Sequence, residues 1–483
     1  MRRISRFLGP TLLLFLLGCG LLAEKGEESR GMANLPSQGV GPWTKFDLVC
    51  PEEQDLEPGQ QPNTDFQPIL IQNPGPLPLP GCTVVAEPWA LLEDEQTLSV
   101  FYEENDLGGS VIRRAVFRLG QGTFCRPIGV TLLENEVVFQ PDTGAFEQGR
   151  VGAPTVLKGA RLPGVHGADT TYAMYYAGGE AAGIGLAVSA NGRDWTRIGA
   201  DGNPQSGTAV ALLAPTGGWD QGTIGSPSIL RRPTGDFLLY FDGNIDASRS
   251  IGLAVSQDGV QWTRIDTAGQ SGPASGAIVT PTFEGPNEQT NWEFLRSDDP
   301  DSGSVGTPMV LLDRGPIRDV YMLYYTGNLR GNLGNLRDGV DSSIGVAFSL
   351  DGIRFQKAST QVDYPNLANE VNPVLNELFA LCLTYDDIFC VISALEPLYS
   401  LIHGEGGFCT KPENAHHPAC ERFDPGDGIP GSGSSNSTSA LIAVDESEPS
   451  VVQMGERFLL FYHQQSNVFS LFDGGIALAL NNF

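Results

Sequence analysis

The sequence predicts an all-β fold, a five-bladed β-propeller closed by an N-terminal strand. Three observations carry this reading: a phrase that recurs along the chain, 60 Gly and 34 Pro among 483 residues, and a strand missing from the last copy that stands near the start of the chain. Gly and Pro at that density, in a chain that is 41% hydrophobic, point to many short strands joined by tight turns. A small, partly helical, cysteine-containing insertion is expected between blades four and five.

The fullest copy of the phrase runs Ile224-Gly225-Ser226-Pro227-Ser228-Ile229, then Phe237-Leu238-Leu239-Tyr240-Phe241-Asp242-Gly243, then Ile251-Gly252-Leu253-Ala254-Val255-Ser256, and Asp258-Gly259 before Trp262-Thr263-Arg264. A second begins at Val151-Gly152-Ala153-Pro154 and ends at Trp195-Thr196-Arg197, and a third runs from Val305-Gly306-Thr307-Pro308 to Phe355. Weaker copies flank them at Glu87-Pro88 and Glu448-Pro449. Each piece is strand-sized, and four-stranded repeats of this length are propeller blades. Asn191-Gly192, Asp258-Gly259 and Asp351-Gly352 are expected to form two-residue hairpins between strands three and four, with the following Trp or Phe packed between blades. The fifth copy lacks its fourth strand, and Trp43-Thr44-Lys45-Phe46 supplies one, leaving no open sheet edge.

If strand one starts at the upper rim of the central channel, the long segments 199–223, 266–304, 328–343 and 357–445 all fall on the upper face, where function concentrates. Segment 357–445 reads as a lid or cap. The seven cysteines beyond Cys19 are Cys50, Cys82, Cys125, Cys382, Cys390, Cys409 and Cys420, an odd number, with Cys382/Cys390 and Cys409/Cys420 the favoured local bridges in an oxidising compartment. A zinc site of Cys409, His416, His417 and Cys420 has no standard spacing.

The first residues carry Arg2, Arg3 and Arg6, then an apolar run that closes in Leu16-Leu17-Gly18-Cys19. That ending resembles the lipobox of bacterial lipoproteins, which implies a signal peptide over 1–19, lipidation of Cys19 and a flexible tether over 20–42 ahead of the propeller at 43–483. By the same resemblance Gly20 favours the outer over the inner membrane. The membrane is expected as a partner through the lipid alone. With 57 Asp+Glu against 29 Lys+Arg, nucleic acid and anionic lipid are poor partners, while a neutral carbohydrate is not excluded.

The phrase Ile-Gly-Leu-Ala-x-Ser-x-Asp-Gly-x-x-Trp resembles the five-bladed propellers of the glycoside hydrolase family 43, 32 and 130 superfamily. The resemblance implies a carbohydrate ligand and two Asp and one Glu converging at the channel, one Asp standing just before a strand-one proline. Those positions are here Glu87, Ala153, Ser226, Thr307 and Glu448, so only the first and fifth ionise. An acid and a base must face each other across the scissile bond. Glu87 and Glu448 are the candidate catalytic pair, with Asp242 as modulator. Ligand-binding candidates are Glu103, Trp219, Trp292, Ser226, Thr307 and His463. Glu284, in Phe283-Glu284-Gly285-Pro286, lies off the blade strands. No cofactor is required, and a channel metal ion reached by His463 stays open. Three readings follow: a glycan-binding or degenerate glycosidase-like lipoprotein, an active hydrolase using the channel pair, and a protein-binding scaffold.

Overall fold

A computed structural model describes residues 43–45 and 70–71, 84–357 with breaks of which the longest are 266–276, 284–293, 296–302 and 330–340, and 444–481 without 456 and 467–473. Cys19 and the whole 1–42 segment, every cysteine, His416, His417, Glu284, Trp292 and almost all of the 357–445 insertion lie outside the described residues.

Five antiparallel sheets make five blades. Blade one is Val84–Asp94, Thr97–Asp106, Gly109–Gln121 and Ile128–Phe139; blade two is Val151–Lys158, Tyr172–Gly178, Ile184–Ser189 and Thr196–Ile198. Blade three is Thr223–Arg231, Phe237–Ile245, Ser248–Ser256 and Thr263–Arg264; blade four is Gly303–Arg314, Asp319–Leu329, Asp341–Ser349 and Gln356–Lys357. Blade five joins Val444–Met454, Arg457–Ser466 and Gly474–Asn481 to the N-terminal Trp43–Lys45. Trp43 pairs with Asn481 and Lys45 with Ala479, so the ring closes as the sequence predicts. Leu70–Ile71, which the sequence does not mark, pairs further along the same edge, opposite Ile476 and Gly475.

The blades hold one another through apolar faces and inner-strand hydroxyls. Val85, Leu98, Val100 and Phe117 of blade one are buried with Val452, Leu459, Phe461 and Leu478 of blade five across the closure. The N–H groups of Ile229, Val310 and Ala90 donate to Thr155 Oγ1, Ser228 Oγ and Ser450 Oγ of the preceding blade at 3.2, 2.9 and 2.8 Å. The aromatics after each Asn-Gly or Asp-Gly do pack between blades. Trp195 meets Phe101, Trp262 meets Tyr175 and Phe355 meets Tyr240, all edge-to-face with centroids 5.6–6.1 Å apart.

The expected two-residue hairpins are instead six-residue turns, 190–195, 257–262 and 350–355. Side chains build them. Ser256 Oγ accepts the N–H of Asp258 and Gly259, and Asp258 Oδ1 accepts those of Val260 and Gln261; Ser189/Asn191 and Ser349/Asp351 repeat the pattern. Satisfying four N–H groups locally removes the need for a tight reversal. Only the glycine is left-handed, at φ 72–79°.

Segment 199–222 also departs from the upper face. Strand four of blade two is three residues long, so the chain turns back along its edge, gives the Gly202 carbonyl to His166 N–H at 2.8 Å, then climbs to place Leu213 opposite Ile184.

Candidate functional site

All five strand-one prolines sit at a register shift, where two residues bulge out of pairing with strand two. The residue before each proline is left-handed: Glu87 at φ 51°, Ala153 at 46°, Ser226 at 41°, Thr307 at 43° and Glu448 at 57°. These are five of the seven described non-glycine residues with positive φ. Such strain, repeated at one level of the ring, marks a place where side chains are held for use. The five residues and their prolines line a single pocket on the axis, with Trp89 beside them.

Strand pairing brings a second set to the same level. Glu103, Ala177, Asp242, Thr326 and His463 stand opposite the residue that precedes each bulge. Glu103 accepts the Ala153 N–H and the Ser110 hydroxyl. Asp242 Oδ2 accepts the Thr307 N–H at 3.0 Å and lies 3.4 Å from Arg249 Nη1. Thr326 Oγ1 accepts the Glu448 N–H at 2.8 Å and also meets Thr307 Oγ1. Between blades five and one the acceptor is Glu448 itself, whose Oε2 takes the Glu87 N–H at 2.6 Å with His463 Nδ1 3.8 Å away.

Glu87 and Glu448 are therefore neighbours, as ring closure implies. Their environments differ. The Glu87 carboxyl is held well above the usual carboxylate range, first by burial, then by the charges of Glu448, Asp242 and Glu103, with Arg249 opposing. The Ser226 hydroxyl donates to its Oε1 at 3.3 Å. Burial, then Glu448, pushes Glu103 up to about 7.

Trp219 is a correction. It lies in the blade, 8% exposed, stacked on Phe241 at 5.8 Å and 19° and filling the space over Gly252, where a Cβ would come within 2.4 Å of the ring. The following Asp220 is buried and binds Arg264, the arginine of the Trp-Thr-Arg strand, and Phe146-Glu147 does the same for Arg197 in blade two. The pair Trp219-Asp220 is thus a blade clamp. Sequence reasoning missed Trp89, Thr326 and Arg249; Trp89 directly follows a strand-one proline, a usable signal, while Arg249 has none. Among the described residues no group of three or more His, Cys, Asp or Glu is placed to hold a metal ion.

No family model matches the chain, and no curated protein does. Solved structures do. A glycosyl hydrolase from Bacteroides ovatus is 14% identical with a TM-score of 0.44, covering 92% of this chain and 95% of its own. A thermostable family-43 glycoside hydrolase is 14% identical with a TM-score of 0.40, over 85% and 91%. The catalytic domain of a Coprinopsis cinerea GH62 α-L-arabinofuranosidase is 10% identical with a TM-score of 0.43, over 93% and 98%.

Proposed function

We propose that this propeller binds carbohydrate at its channel mouth without cleaving it. One observation carries the reading: three of the four channel carboxylates, Glu103, Asp242 and Glu448, accept the pre-proline N–H of the next blade. A general base must be free to take a proton from water, and a carboxylate engaged in holding two blades together is poorly placed to do so. Glu87 remains. Pushed well above the usual carboxylate range by burial and by its acidic neighbours, it offers a hydrogen-bonding group beside the Ser226 and Thr307 hydroxyls. Such a set suits the hydroxyls of an uncharged sugar.

A glycan array probed with the purified chain, followed by product analysis on each hit, tests this. Binding without release is expected. Glu87→Gln, which keeps a hydrogen-bonding group of the same shape, keeps binding, whereas Glu87→Ala weakens it by about tenfold, the worth of one lost hydrogen bond. Turnover abolished by Glu87→Gln or Glu448→Gln would overturn the reading in favour of a hydrolase.

We further propose that a lipid on Cys19 holds the chain at the cell envelope, in the outer membrane. The support is the run Leu16-Leu17-Gly18-Cys19 closing an apolar segment. Metabolic labelling with an alkyne fatty acid should mark the wild type and leave Cys19→Ser unmarked.

A further inference from the structure

Four of the five blade junctions close one contact in the same way. The N–H before the strand-one proline donates to an oxygen from the preceding blade: Glu103 for Ala153, Asp242 for Thr307, Thr326 for Glu448, and Glu448 for Glu87. The junction from blade two to blade three differs. Its strand-two position is Ala177, a buried methyl that accepts nothing. Blade two therefore sends no side-chain acceptor to the Ser226 N–H, and Ser226 lines the pocket. A backbone donor that lacks the side-chain partner its equivalents have calls for one from the pocket.

At Gly152 an added Cβ would lie 1.8 Å from Glu103 Oε2, and at Gly306 one would lie 2.9 Å from Asp242 Oδ2. In blades two and four the glycine two residues before the proline makes room for the acceptor arriving from the preceding blade. Gly225 holds the equivalent position where Ala177 sends no acceptor.

We propose that the Ser226 N–H is the anchoring donor of the ligand site, and that a sugar hydroxyl oxygen takes there the place held elsewhere by Glu103, Asp242 and Thr326. This rests on the carbohydrate reading above. A hydroxyl fits better than an anion, because Glu87, Glu448, Asp242 and Glu103 share the mouth with Arg249 and Thr326 already fills the role with a hydroxyl. The Ser226 side chain reaches Glu87 Oε1, so a hydroxyl accepting from the Ser226 N–H also stands near the Glu87 carboxyl.

The test uses the full chain, ¹⁵N-labelled, titrated with methyl glycosides of neutral hexoses and pentoses. For a glycoside that binds, the Ser226 amide shifts downfield. Ala177→Thr, which installs the acceptor that Thr326 supplies at the junction from blade four to blade five, raises Tm and weakens binding by about tenfold. Ala177→Val, of similar size without an acceptor, weakens binding but gives no gain in Tm. Binding that leaves the Ser226 amide unmoved, or that survives Ala177→Thr unchanged, overturns the anchor while leaving the carbohydrate reading intact. Failure of every glycoside, on the array and in this titration, sinks the carbohydrate reading itself. Should Ala177→Thr fail to fold, the amide shift in the wild type still decides.

Discussion

Ala153 holds φ at 46° with a proline behind it, a conformation that costs a residue with a Cβ about 1–2 kcal/mol. Ala153→Gly removes that cost, and denaturant unfolding should show a gain of about 1 kcal/mol despite the looser unfolded chain. Glu103, one blade back, makes the fold sensitive to pH. Its carboxyl is raised to about 7 by burial and then by Glu448. The folded protein therefore holds this proton more tightly than the unfolded chain. The stability it contributes is complete below the ordinary value near 4.5 and is lost as pH rises through about 7. Glu103→Gln keeps an oxygen for the Ala153 N–H and removes the titration, so Tm measured across about pH 5 to 8 should fall less steeply than in the wild type. The carboxylates were legible as residues before prolines or at strand-two ends. Their engagement by backbone N–H groups was not, because it joins positions 50 to 361 residues apart.

The turn between strands three and four shows how an element can be recognised and its geometry misjudged. Asp-Gly suggested a tight hairpin, but Ser256 and Asp258 each accept two backbone N–H groups and support a wider reversal. Burial works against the Asp258 charge, yet the N–H groups of Gln261 and Val260 and the Ser256 hydroxyl outweigh it and hold the carboxyl below its usual range. Asp258→Ala leaves those N–H groups without their acceptor and should cost about 1–3 kcal/mol in denaturant unfolding. Gly259 is fixed more tightly: at φ 79°, with its carbonyl accepting the Tyr175 hydroxyl at 2.7 Å and a Cβ within 2.7 Å of Leu162, it has no room for a side chain. The aromatic after each turn was read correctly as an inter-blade plug, since its spacing from the strand repeats with the blade. Trp219 was not, because an aromatic ahead of strand one looks the same in sequence whether it faces the channel or fills its own sheet.

At the scale of the ring, closure depends on a three-residue strand. Trp43–Lys45 covers the edge of Gly474–Asn481, and proline at its centre would disturb the pairing of Thr44 with Leu480. Thr44→Pro should lower Tm and expose an edge that associates, measurable as concentration-dependent light scattering. The sequence by itself determined the five blades, their strand order and the closing strand, because a repeated phrase reports local backbone needs and each blade must bury its faces against the next. Only the tertiary structure decided what the channel groups do. Which carboxyl is engaged and which holds its proton more tightly depend on how neighbouring blades approach, and that approach places Glu87 beside Glu448 and the Ser226 hydroxyl, Asp242 against Thr307, and Ala177 where three other blades carry an acceptor.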